Sequence, residues 1–98
     1  MIEKIIDGKN ITDKIYQQAI DKYGKESQIC MAVEEVGELI TAINQYKRCR
    51  IEKISVCEEI ADVQIMMEQL SLIYGKDDVE KEKERKILRL KERLNKID

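Results

Sequence analysis

At 98 residues, 43% hydrophobic and 39% charged, the chain has material for one modest core and not for two. The net charge of −2 excludes a nucleic-acid-sized basic patch, since residues 1–75 carry nine Lys or Arg against thirteen acids and only residues 76–98 reach a mild basic excess of nine against seven. There is no His, and Cys30, Cys49 and Cys57 show no C-x-x-C spacing, which disfavours a zinc site and a disulfide framework; no stretch reaches the ~18 apolar residues of a membrane span. A single soluble, cytoplasmic domain over residues 1–98, without nucleic-acid or membrane partners, is the expectation.

The absence of Pro, Phe and Trp, together with Ile, Leu, Val, Met and Ala spaced at three and four, predicts an all-α fold. After a leader (Ile2, Ile5, Ile6, Gly8) whose periodicity does not choose between a helical turn and an extended stretch, a first helix is expected over 11–23. Asn10 would be its cap, Ile15, Ala19 and Ile20 its inner face, and Gly24 its left-handed terminator. A second is expected over 27–47, well buried through Ile29, Val33, Val36, Ile40 and Ile43. The polar turn KRCR at 47–50 breaks it. SVCE at 55–58 has the form of a capping box in which Glu58 serves Ser55, opening a third helix with Ile60, Val63, Met67, Leu70 and Ile73 and ending at Gly75. A fourth begins near Asp77 or Asp78. Its Ile87, Leu90, Leu94 and Ile97 make a narrow seam between Lys, Arg and Glu, and such a seam wants a partner helix.

Two acidic clusters interrupt the apolar runs: EEVGEL at 34–39 and EEIADV at 58–63. Glu35 and Glu38 leave one helix face a turn apart, and Glu59 and Asp62 repeat that relation. In an antiparallel hairpin turning near Arg50, Glu38 lies twelve residues before the turn and Asp62 twelve after, so the pairs meet at similar depth. Four crowded carboxylates are costly to desolvate, and a divalent cation offsets that cost. An oxygen-only donor set suits a hard ion, Mg²⁺ first and Mn²⁺ second, and the lack of His sets aside di-iron bundles built on Glu-x-x-His pairs. Carboxylate-held Mg²⁺ commonly leaves positions for water and substrate phosphates, which points to phosphate chemistry. A lone E-x-x-E is usually a solvated face, so the joint pattern carries this reading. Glu34, about 100° around the helix from Glu35, is either a solvated acid or a flanking helper.

At Glu34, Glu35, Glu38, Glu59 and Asp62 the chain resembles the MazG-like all-α nucleoside triphosphate pyrophosphohydrolases, whose signature is E-E-x-x-E followed after a gap by E-x-x-D. The likeness extends through YGKESQICMAVEEVGELITAINQYKR, EEIADVQIMMEQLSLIYG and KILRLKERL, from about Tyr23 to Leu94. It implies a four-helix-bundle-like helical hairpin core completed by oligomerisation, as a homodimer or homotetramer. It also implies Mg²⁺ held by Glu35, Glu38, Glu59 and Asp62 with Glu34 as supporting acid, and hydrolysis of a nucleoside triphosphate between its α and β phosphates. Lys86, Arg89 and Arg93 are candidate phosphate contacts, or else solvated flanks of the seam; Lys47 and Arg48 share that ambiguity, and Gln28, just before the second helix, is a candidate substrate contact or else a capping or surface residue. The family often offers Trp to the base, whereas this chain has only Tyr16, Tyr23, Tyr46 and Tyr74. Two other functions stay open. One is a non-catalytic helical interaction module in which the acids are structural; the other is a phosphoribosyl-ATP pyrophosphohydrolase.

Overall fold

In a computed structural model that describes the backbone of residues 2–96 and the side chains of residues 11–96, the chain forms four helices and, among the described residues, no strand. These are α1 (Ile2–Tyr23), α2 (Lys25–Lys47), α3 (Lys53–Tyr74) and α4 (Lys76–Asn95). The expected leader is part of α1. With no Pro to interrupt it, a lone Gly8 costs only about 1 kcal/mol of helix propensity, and the helix runs through Asn10 instead of starting after it. Ile97 lies outside the described residues.

Single glycines make two of the connections. Gly24 and Gly75 have φ of 93° and 129°, a region closed to most side chains, and each lets one helix stop and the next begin at once. The α2–α3 turn uses Cys49 in the same role, at φ 58°. Its amide donates to Tyr46 O at 2.9 Å and that of Arg50 to Gln45 O at 2.9 Å, the paired bonds of a Schellman stop. Because that turn closes early, α3 starts at Lys53 rather than Ser55. Glu52 precedes it in extended backbone with no side-chain cap, so the expected Ser55/Glu58 capping box does not form, and Glu58 is exposed.

Helices α2 and α3 form the antiparallel hairpin, α1 lies across both, and α4 packs on α3. Part-buried Lys76, at the start of α4, is ion-paired with Asp13 of α1. The expected burial of α2 needs correction. Val33 is 69% exposed and Ile40 56%, and Ile15 of α1 is also exposed. The row that faces α3 is displaced by one residue from the large apolar stripe: Gln28, Ala32 and Ala42 are buried, Glu35 and Leu39 half-buried. Small and polar residues let the two backbones approach, and the bulky stripe turns about 100° away.

The consequence is a chain with little interior. Ile20, Ala32, Ala42 and Met66 are the buried apolar residues among those described. The accessible surface is 8290 Å² where a folded monomer of this size shows roughly 5,800 Å². The radius of gyration is 16.6 Å where a compact chain of this length has roughly 13 Å.

Candidate functional site

The two acidic clusters meet across the hairpin. One carboxylate oxygen from each of Glu35, Glu38 and Glu59 lies within 4.8 Å of the others; Glu35 and Glu59 are half-buried, Glu38 exposed. Asp62 stands beside this trio and outside it, near enough for its charge to act on Glu35 and Glu59. Burial first, and then the negative charge of Glu38 and Asp62, raises the pKa of both Glu35 and Glu59 above the ordinary carboxylate value. Glu35 Oε2 and Glu59 Oε2 are buried and have no hydrogen-bond partner.

Two orphaned carboxylate oxygens converging from neighbouring helices are an unfavourable way to fill a seam unless a cation joins them. The donor set is all oxygen and fits a hard divalent ion such as Mg²⁺ or Mn²⁺. Glu35, Glu38 and Glu59 supply the nearest donors, with Asp62 one helical turn beyond Glu59. Glu34 is exposed on the adjoining face of α2.

A cavity of about 300 Å³ opens next to the acids, lined by Glu35 and Asp62 at one end, Gln28 and Gln69 at the other, and Tyr23, Met31 and Ile65 among its walls. Gln28 is not a surface residue ahead of α2. It sits in the first turn of that helix, 4% exposed, and its Nε2 donates to Oε1 of Gln69, itself 5% exposed, at 2.6 Å. Gln69 is the residue that the pattern of charges could not reveal. A usable signal existed: Gln28 lies seven residues before Glu35 and Gln69 seven after Asp62, and heptad spacing keeps each amide on the face of its acid.

The basic candidates lie elsewhere. Lys47 is at the turn end of α2, nine residues beyond Glu38, roughly 13 Å along the helix, whereas the cavity opens toward the other end. Lys86 and Arg89 are on exposed α4, which touches α3 but not α2, and no α4 residue lines the cavity over the acids. Within one chain these cations and the carboxylates are apart. Among the described residues the cysteines are free and exposed, and no helix is long and apolar enough to cross a membrane. No family model, curated protein or solved structure matches the chain.

Proposed function

We propose that the chain is a divalent-metal-dependent nucleotide pyrophosphohydrolase, adding water across the α–β phosphoanhydride of a nucleoside triphosphate to release the monophosphate and pyrophosphate. The observation that carries this reading is the convergence of Glu35 Oε2 and Glu59 Oε2, buried and unpartnered, on Glu38. Glu35, Glu38, Glu59 and Asp62 would hold the ion, Mg²⁺ with Mn²⁺ as substitute, and Glu34 is the supporting acid. When bound, the ion supplies charge neutralisation for phosphate oxygens that gain charge as the anhydride breaks. The protein's share is to hold Glu35, Glu38 and Glu59 together across the hairpin, with Asp62 beside them, and to seat the rest of the substrate in the adjoining cavity.

The same reading includes self-association as a MazG-type bundle. Ile29, Val33 and Val36 of the α2 stripe and α3's Met67, Leu70 and Tyr74 line one apolar hollow of about 350 Å³. Tyr74 also borders a groove of about 680 Å³ along α4, with Val79, Ile87 and Leu90. The two are continuous through that tyrosine. A second copy fits this face because α4 is unevenly charged: residues 76–85 hold five acids and four bases, a net of −1, whereas 86–95 hold four bases and one acid, a net of +3. Antiparallel α4 helices therefore set the basic half of one beside the near-neutral, acid-rich half of the other. The surface excess of roughly 2,500 Å² over a folded monomer is the size expected of an obligate interface. Lys86 and Arg89 of one chain then lie beside the acids of the other chain's α4.

The deciding experiment is pyrophosphate release, distinguished from orthophosphate, across ribo- and deoxyribonucleoside triphosphates with Mg²⁺ and with chelator. Metal-dependent pyrophosphate is the expected result. Its absence from folded, Mg²⁺-binding protein across the whole panel overturns the reading.

A further inference from the structure

The seam carries a second polar pair besides the acids, and nothing in the metal chemistry uses it. Gln28 and Gln69 are buried to 4% and 5% exposure at a position where two apolar side chains would pack as well and need no partners. Their mutual bond uses one N–H of Gln28 and one lone pair of Gln69 Oε1. The amide of Gln69 then has, as its own acceptor, only the thioether of Met66, at 4.0 Å. A thioether is a weak acceptor, so a buried NH₂ group with unused donor capacity borders the cavity.

The cavity is graded along its length. Glu35 and Asp62 are at one end; one heptad away, roughly 10.5 Å along the helices, are the two amides, with the ring of Tyr23 and the side chains of Met31 and Ile65 among the walls. With a divalent ion on the carboxylates, a ligand matching that gradient is anionic at the metal end, carries an apolar or aromatic part along the walls, and is hydrogen-bonding at the far edge. A nucleotide has that order of parts.

We infer that Gln69, braced by Gln28, reads the base of the substrate, donating from Nε2 to a carbonyl oxygen on the base edge. The inference rests on the pyrophosphohydrolase reading and adds to it a substrate class: nucleotides whose base carries a carbonyl oxygen at that edge. Gln28 is a positioning residue, since its bond to Oε1 fixes which way the Gln69 amide points. A carbonyl accepts this bond, whereas an exocyclic amino group in its place brings donor against donor and leaves the buried amide unsatisfied.

The cleanest test exchanges a single group on one purine. Rates of pyrophosphate release are measured with inosine triphosphate, adenosine triphosphate and base-free ribose 5-triphosphate, for the native chain, Gln69→Met and the double variant Gln28→Leu/Gln69→Leu. The double variant replaces both amides at once, so no orphan is left to unfold the hairpin. The native chain is expected to favour inosine over adenosine triphosphate in kcat/KM by roughly ten-fold, the worth of one neutral hydrogen bond. Both variants lose that preference, with the loss falling most on inosine triphosphate and least on the base-free triphosphate. Equal losses on all three substrates, or a preference that survives in both variants, overturn the assignment and leave the glutamines a packing role. If the native chain releases no pyrophosphate from any nucleotide, the hydrolase reading itself fails and takes the base reading with it.

Discussion

Two rows of side chains on α2, one residue apart, reverse the usual rule of burial. The row Gln28, Ala32, Glu35, Leu39, Ala42 faces α3 and carries two polar residues, whereas the row Ile29, Val33, Val36, Ile40, Ile43 is wholly apolar and leaves Val33, Ile40 and Ile43 exposed. Burying the second row instead would satisfy the hydrophobic effect inside one chain, at about 25 cal/mol per Å². The hairpin forgoes that gain. The two rows therefore carry different parts of the proposal: the polar row holds the carboxylates and amides assigned to chemistry, and the apolar row the face assigned to association.

The largest effect is expected where the polar row is broken at its ligands. Glu38→Gln or Asp62→Asn removes a charge from the proposed cation site, and pyrophosphate release should fall by at least three orders of magnitude, about 4 kcal/mol of barrier, with the helical circular dichroism unchanged. Turnover equal to that of the native chain in both variants would remove the four-acid site. Next is the apolar row. Val33→Asp and Leu90→Asp each set a charge into the face assigned to a second copy, and the mass in solution should drop to that of one chain. Unchanged mass in both places the interface elsewhere.

A smaller effect follows from the raised pKa of Glu35 and Glu59. Both bind protons more tightly folded than unfolded, so the folded chain gains stability as pH falls through their raised values, and the gain ends near the ordinary value of 4.5. In chelator, Tm should therefore be higher near about pH 5.5 than near about pH 7.5, and saturating Mg²⁺ should reverse the order by favouring the ionised carboxylates. Glu38→Gln flattens the chelated profile, because one of the charges that raise both groups is gone. A Tm that rises with pH in chelator as well shows that the carboxylates are relieved some other way.

Much of this contrast was legible in the sequence. The all-α class follows from periodicity, the helix stops at Gly24 and Gly75 from the conformational freedom of glycine, and the approach of the two acidic pairs from their similar depths on either side of the turn, although Asp62, level with Glu38 by that count, stands outside the trio of Glu35, Glu38 and Glu59. Which row would form the seam was not legible. The hydrophobic pattern marks the stripe that gains most from burial, while the chain buries the row whose small residues allow close approach, and only the size of Ala32 and Ala42 signals that choice. Asn10 and Ser55 misled for a related reason. A capping residue lowers the energy of a helix start without compelling one, and at both sites the backbone continued or began two residues earlier. Gln69 was hidden because an isolated glutamine in an apolar run has no pattern until its partner across the hairpin is known.

Gly37 tests the boundary between the two rows at the smallest scale. It sits mid-helix in α2, within EEVGEL, where glycine costs about 1 kcal/mol relative to alanine, and a Cβ built there meets nothing within 4 Å beyond its chain neighbours and the backbone of its own helix. Around the helix it lies opposite the α3 seam and on the outer flank of the apolar stripe, so neither the acids nor the hairpin packing requires it. Gly37→Ala should therefore raise stability by about 1 kcal/mol, a Tm gain of roughly 4–8 °C for a domain of this length, with pyrophosphate release unchanged. If Tm falls instead and the mass in solution falls with it, a partner's backbone approaches the glycine. The interface then wraps past Val33 and Ile40 to the outer face of α2, and the apolar stripe is its middle and not its edge.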